Sequence, residues 1–273
     1  MELSSVRLGI IGTGNMGQAI IKGLLVSDDR PDIYAYDVAE ANRLQVQKHF
    51  PGQVFVAGSN KELVREVEVI LLAVKPQVVG KVLDEIVNDL DPGQLLLSIA
   101  AGVPLKTIEA ATAGKLPVVR IMPNTPALVQ KGMSALAPGS LASRRHMALA
   151  AEIFSRVGKT VEVNETLMDA VTAVSGSGPA YAFLVIEAMI DAAVKQGLPR
   201  DIARTLVVET FSGACSLLQD TGQQPMVLKD MVTSPGGTTI AGLAALEEQG
   251  IRTAFFQAVE AACNRSRELG EMV

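Results

Sequence analysis

The chain has 273 residues, 48% hydrophobic and 19% charged, with a net charge of −5, two cysteines, two histidines and no tryptophan. This length allows one or two domains with a substantial core. The charge is spread without a basic stripe and the aromatic content is 4%, so nucleic acid is not an expected partner. Cys215 and Cys263 lack ligand spacing, and His49 and His146 lie far apart, so no metal is expected and a reducing, cytoplasmic setting fits.

A mean hydropathy of +0.30 is high for a soluble chain. The longest uncharged stretch, residues 170–186, is expected to be broken by Ser175-Gly176-Ser177-Gly178-Pro179, whereas a spanning helix wants about twenty uninterrupted apolar residues. The N-terminus reaches Gly12 with no basic region or cleavage site. Neither a membrane nor a signal peptide is expected. An oligomer interface accounts for the apolar excess.

Residues 6–11 form an unbroken apolar run, read as a strand. Gly12-Thr13-Gly14-Asn15-Met16-Gly17 then opens a helix with apolar positions at Met16, Ile20, Ile21, Leu24 and Leu25. Residues 33–36 make a second strand, 39–49 a helix and 54–56 a short third strand. Asn60, or alternatively Ser59, caps a helix through Val64. Residues 68–74 form a buried strand, and Pro76 marks a helix start. Residues 95–99, 118–122, 134–137 and 160–163 complete the strands, with a helix near 143–157. Unbroken apolar strands alternating with helices predict an α/β, doubly wound parallel sheet covered on both faces.

After about Asn164 only helical patterns remain, over 165–174, 180–196, 200–218, 226–232, 238–248 and 252–269. In the second, Glu187, Asp191 and Lys195 recur every four residues as one polar stripe on an apolar cylinder, the pattern of a buried helix. So short a segment cannot surround such a helix alone, and two subunits are expected to interleave. The predicted domains are 1–163, binding a dinucleotide, and 164–273, all-helical, for dimerisation and substrate.

Gly12, Gly14 and Gly17, between strand and helix, suit a tight turn, close backbone approach to a pyrophosphate and close helix–strand packing. Asp37, at the end of strand two, either accepts from an adenosine ribose or caps the following helix. Further strand ends carry Ala73-Val74-Lys75-Pro76, Ala100-Ala101-Gly102 and Met122-Pro123-Asn124-Thr125-Pro126. Lys75 is either a cofactor contact or a solvated lysine, Asn60 a ribose contact or a cap, and Asn124 a site residue or turn chemistry. In the helical half, Ser175-Gly176-Ser177-Gly178-Pro179 and Ser234-Pro235-Gly236-Gly237-Thr238-Thr239 precede helices. Their free N–H groups suit a small carboxylate, and the threonine hydroxyls a ring nitrogen; the bland alternative is two flexible loops. With no histidine or carboxylate cluster there, a substrate needing little acid–base help fits, such as a cyclic imine.

These motifs, with SGSGPAYAF at 175–183, Leu228-Lys229-Asp230 and SPGGTT at 234–239, resemble pyrroline-5-carboxylate reductases in the same order along nearly the whole chain. The resemblance implies an N-terminal Rossmann-like domain and a C-terminal all-helical dimerisation domain. The implied activity is NADPH- or NADH-dependent reduction of 1-pyrroline-5-carboxylate to L-proline. Self-association as an interleaved homodimer, building up to a decamer of dimers, is implied as well. Gly12, Gly14, Asn15, Met16 and Gly17 would hold the pyrophosphate, and Asn60, Ala73, Lys75 and Ala100 the ribose and nicotinamide. Gly236, Gly237 and Thr238 would bind the substrate carboxylate, Thr239 the imine nitrogen, and Ser177 would lie nearby. Family members often end strand two with a residue suited to a 2′-phosphate; Asp37 departs from this and points to NADH, with Arg43 as a countervailing cation. A β-hydroxyacid dehydrogenase shares the layout but needs a lysine–asparagine pair, and beyond Asn164 the only asparagine is Asn264. A catalytically silent dinucleotide-sensing dimer is the non-enzyme alternative.

Overall fold

A computed structural model describes residues 3–271. In chain order it contains β1 (Arg7–Ile11), α1 (Asn15–Leu25), β2 (Asp32–Tyr36), α2 (Glu40–His49), β3 (Val54–Val56), α3 (Asn60–Glu66), β4 (Val69–Leu72) and α4 (Val79–Ile86). There follow β5 (Leu95–Ser98), α5 (Leu105–Ala111), β6 (Val118–Met122), β7 (Gly132–Pro138), α6 (Arg144–Ser155) and β8 (Gly158–Glu162). The rest is helical: α7 (Met168–Val171), α8 (Gly178–Lys195), α9 (Arg200–Thr221), α10 (Pro225–Met231), α11 (Thr238–Glu248) and α12 (Ile251–Glu271).

The eight strands form one sheet in the order β3-β2-β1-β4-β5-β6-β7-β8. Every neighbouring pair is parallel except β6 with β7, which is antiparallel. The wholly parallel sheet expected from the strand pattern is therefore interrupted once. Residues 123–131 are fewer than the dozen or so that a parallel crossover needs, so β7 turns back. The strand order reverses direction between β1 and β4, and ligands of open α/β sheets bind at such a switch point.

Alternation along the strands builds two cores. Leu8, Ile10, Val69, Leu71 and Leu97 face one side and pack with Ile20, Leu24 and Phe154. Ile11, Ile70, Leu72 and Leu96 face the other and pack with Leu63, Leu83 and Ile108. Each buried side chain of this size contributes about 1.5–3 kcal/mol. α5 was not anticipated; its buried Leu105 and Ile108 are spaced i, i+3 on one face.

Ser59, not Asn60, caps α3: Ser59 Oγ accepts from Glu62 N–H at 3.1 Å, and Glu62 Oε2 accepts from Gly58 N–H at 2.8 Å. At α6, Ser143 Oγ accepts from His146 N–H and His146 Nδ1 accepts from Ser143 N–H, a reciprocal capping box. Burial, and then Arg145, hold the His146 pKa below 6.5, partly offset by a hydrogen bond with the Leu141 backbone. A proton on Nδ1 would abolish the acceptor. The folded pKa is thus below the unfolded one, so this contribution is complete above about pH 6.5 and is lost as pH falls through the folded value. Thermal unfolding across that range should show stability falling on acidification. His146→Gln keeps a capping box without titrating and should flatten that component; an unchanged slope would remove His146 as its source.

The chain forms two compact units. One runs to Ser177 and resumes at Ala261; the other is Gly178–Glu260. Within the first, Ser266 Oγ donates to Asp169 Oδ1 at 2.7 Å, securing the end of α12 on α7. The second unit buries only Ala203 and Val207 among its apolar residues and exposes Phe183, Leu184, Met231 and Phe256, the last by 77%.

One expectation is corrected in this region. Residues 175–179 do not break the uncharged run, because Thr172–Gly176 is a π-helical turn that leads into α8, with Pro179 at its second position. The helical stretch Glu165–Lys195, 31 residues with mean hydropathy 1.4, is long and apolar enough to cross a membrane by length and composition.

Candidate active site

The glycine turn lies at the switch point, and each glycine has a distinct steric reason. Gly12 adopts φ +97°, and a Cβ there would meet the Ala73 carbonyl at 2.7 Å. A Cβ on Gly17 would lie 2.3 Å from the Gly12 carbonyl oxygen, so α1 crosses the turn at backbone contact. A Cβ on Gly14 would meet nothing within 4 Å, which leaves an open approach for a bulky anion. Gly14 occupies the N-cap of α1 with no side chain bonded there. The first-turn N–H groups of Asn15, Met16 and Gly17, which a helix cannot pair internally, are therefore donors for anionic oxygen.

Asp37 is tied into this turn. Its Oδ2 accepts from Thr13 N–H at 2.8 Å and from Asn42 Nδ2 at 2.9 Å, and its Oδ1 accepts from Ala39 N–H at 2.9 Å. Ala39, not Asp37, occupies the N-cap of α2. Thr13 is fully buried, and its carbonyl accepts from Gln18 Nε2 at 2.8 Å. Arg43 Nη1 donates to the Asp37 and Val38 carbonyls at 2.6 and 3.1 Å, placing a cation beside the same strand end.

With the cap supplied by Ser59, the Asn60 amide is free for another purpose. The residue is 7% exposed, and Nδ2 donates to Glu85 Oε2 at 2.9 Å. Oδ1 is buried without a partner, an arrangement that costs about 1–3 kcal/mol unless something donates to it. A cavity of about 180 Å³ opens here, lined by Gly12, Tyr36, Asp37, Asn60, Val74 and Glu85 among others. The open glycine cradle, an unpaired acceptor and carboxylates facing an apolar slot fit the adenosine end of a dinucleotide. Glu85 was missed from sequence; it stands 25 residues from Asn60, and nothing local marks it.

Ala73 and Ala100 lie just beyond the ends of β4 and β5, and Ala100 is buried. Lys75 is exposed at the N-cap of a short helical turn, Pro76–Val78, with its carbonyl accepting from Val78 N–H at 3.0 Å. Farther along the sheet, buried Arg120 meets Glu165 Oε1 at 3.1 Å, and the same oxygen accepts from Leu105 N–H at 2.6 Å. That bond set joins β6, α5 and the start of the helical segment, and no local sequence pattern announces it.

In the second unit, α11 begins at Thr238 after a tight loop in which Gly236 adopts φ +65°. Gly237 N–H turns back to the Ser234 carbonyl at 3.1 Å, so of the N–H groups assigned to a carboxylate this one already has a partner. Thr238 and Thr239 occupy the first two positions of α11. Thr205, Thr210, Thr221 and Thr233 each donate a hydroxyl to the carbonyl four residues back. At the first positions of α11 no helical carbonyl lies behind, and the hydroxyls remain available. Ser177 closes the π turn, its N–H donating to the Thr172 carbonyl at 2.9 Å.

Comparison with known proteins covers both halves. Residues 165–269 match the family described as pyrroline-5-carboxylate reductase dimerisation, and residues 7–102 match that described as NADP oxidoreductase coenzyme F420-dependent. A pyrroline-5-carboxylate reductase of Methanosarcina acetivorans is 46% identical over 98% of this chain and 100% of its own. The crystal structure of Plasmodium falciparum pyrroline carboxylate reductase with NADP bound has a TM-score of 0.88 at 33% identity, covering 98% of this chain and 99% of that one. A pyrroline-5-carboxylate reductase from Coxiella burnetii has a TM-score of 0.90 at 34% identity, over 97% and 98%. A glycine cradle at the switch point, an uncovered helical unit and full-length similarity on this scale lead to one assignment: the chain belongs to the pyrroline-5-carboxylate reductase family.

Proposed function

We infer that the chain reduces 1-pyrroline-5-carboxylate to L-proline with NADPH or NADH. The observation that carries this reading is similarity along the whole chain with the SPGGTT loop intact at the start of α11. When bound, the reduced nicotinamide supplies a hydride to the imine carbon. The first-turn N–H groups of α1 hold the pyrophosphate, while Asn60, Asp37, Ala73, Lys75 and Ala100 bind and orient the rest of the dinucleotide. Gly236 and Thr238 receive the substrate carboxylate, with Thr238 supplying an N–H that the helix cannot use, while Gly237 holds the loop through its bond to the Ser234 carbonyl. Thr239 hydrogen-bonds the ring nitrogen, whose proton comes from solvent, and Ser177 lies beside the substrate. The residues act by placement and electrostatics rather than by proton transfer.

The uncovered second unit supports an interleaved homodimer, with 164–273 as the dimerisation and substrate domain and 1–163 as the dinucleotide domain. The same apolar faces, including the long helix Glu165–Lys195, then meet a second copy rather than lipid. The even charge distribution and the two unpaired cysteines support a cytoplasmic enzyme without nucleic-acid partners. Light scattering in detergent-free buffer should give a mass of two chains or a multiple of two; a monomer, or a chain that needs detergent, would contradict this.

Oxidation of NADH and NADPH with 1-pyrroline-5-carboxylate, followed by absorbance, tests the activity. NADH should serve at least comparably to NADPH, because Asp37 repels a 2′-phosphate. Asp37→Ser should move the kcat/KM ratio toward NADPH by about tenfold, the scale of one charged contact. A wild-type ratio strongly favouring NADPH would mean that Arg43 prevails.

A further inference from the structure

Asn124 lies just past β6, at the end of the sheet where ligands bind, and its amide makes a two-sided clasp. Oδ1 accepts from Met133 N–H at 2.9 Å, and Nδ2 donates to the Ser175 carbonyl at 3.2 Å and to Ser175 Oγ at 3.3 Å. The orientation is unambiguous, because Met133 N–H can only donate and the Ser175 carbonyl can only accept. Two residues earlier, Met122 packs on the same turn: a Cβ on Gly176 would lie 2.6 Å from Met122 Cε.

The segment held in this way is the π turn Thr172–Gly176. A π turn carries one more residue than an α turn, occurs mostly as a single turn within helices, and is frequent at functional sites. Relaxation to α geometry would rotate Ser177 by about 100° about the helix axis, since an α-helix has 3.6 residues per turn. Ser177, which leaves this turn, would then point elsewhere. Met133 fixes the amide, the amide fixes Ser175, and Ser175 fixes the turn.

We propose that Asn124 is a positioning residue for the imine reduction, holding the π turn open so that Ser177 faces the substrate. This rests on the assignment of Ser177 to the substrate site. Both polar atoms of the Asn124 amide already bond protein groups, and the proposed dinucleotide residues do not include it.

Asn124→Asp keeps the shape and the acceptor for Met133 N–H, but turns a carboxylate oxygen toward the Ser175 carbonyl. Asn124→Ala removes both bonds without repulsion. In the full-length enzyme, Asn124→Asp should raise KM for 1-pyrroline-5-carboxylate by about tenfold or more, the scale of one or two lost hydrogen bonds, with Asn124→Ala showing a smaller rise. The Kd for NADH, read by fluorescence, should stay within about twofold for both variants, since dinucleotide contacts are untouched. An unchanged KM, or an equal loss in KM and NADH affinity, overturns the proposal. Failure of both variants to fold assigns Asn124 a purely structural role and overturns it as well. A wild-type enzyme that does not reduce the imine at all counts instead against the proposed function.

Discussion

Gly17→Ala should lower affinity for NADH and NADPH by about a hundredfold or more, the scale of a displacement near 1 Å at a positioned group. The added Cβ would lie 2.3 Å from the Gly12 carbonyl oxygen. That oxygen belongs to backbone, not to a side chain that can rotate away. Gly12 is itself held by its N–H to the Tyr36 carbonyl at 2.8 Å, and the next residue by Thr13 N–H to Asp37 at 2.8 Å. The turn cannot yield without breaking those bonds, so α1 must move off β1. The first-turn N–H groups proposed to hold the pyrophosphate are then displaced. The cost in stability should be about 1–3 kcal/mol, as for other overpacked positions. Fluorescence titration with NADH and a thermal melt separate the two effects. Wild-type affinity in a folded variant would show that the first turn of α1 is not the pyrophosphate site.

The same glycine illustrates what sequence alone discloses. Gly12, Gly14 and Gly17 are legible because each spacing answers a backbone requirement inside one strand–turn–helix unit. Strands β1, β2 and β4 are equally legible, their apolar runs being long and bounded by turn residues. Interactions closed over long separations are not. Glu85 reaches Asn60 from α4, Glu165 reaches Arg120 across 45 residues, and Ser175 reaches Asn124 across 51. No periodicity encodes such a meeting; the fold creates it. The π turn was misread for a related reason. Ser175-Gly176-Ser177-Gly178-Pro179 has the composition of a loop, and local propensity argues for one. Asn124 and Met122 instead contact Ser175 and Gly176 in a wide helical turn, and tertiary contact prevails over propensity. The reversal at β7 was legible in principle, since the short span of 123–131 already excluded a parallel crossover.

Thr239→Val should reduce kcat/KM for 1-pyrroline-5-carboxylate by about thirtyfold, equivalent to about 2 kcal/mol for a hydrogen bond to a charged group. The substitution is close to isosteric and β-branched for β-branched, so helix propensity hardly changes. The Thr239 hydroxyl has no partner among the described residues, unlike Thr205 or Thr233, which donate to carbonyls four residues behind them. Its removal therefore costs the fold little, and the melting temperature should stay within a few degrees. NADH affinity should not move, because Thr239 is not among the residues proposed to bind the dinucleotide. Thr239→Ser keeps the hydroxyl and should keep most of the activity, which distinguishes loss of a hydrogen bond from loss of shape. Full turnover in the valine variant would place the nitrogen against another group, and the neighbouring Thr238 hydroxyl would be the next to remove.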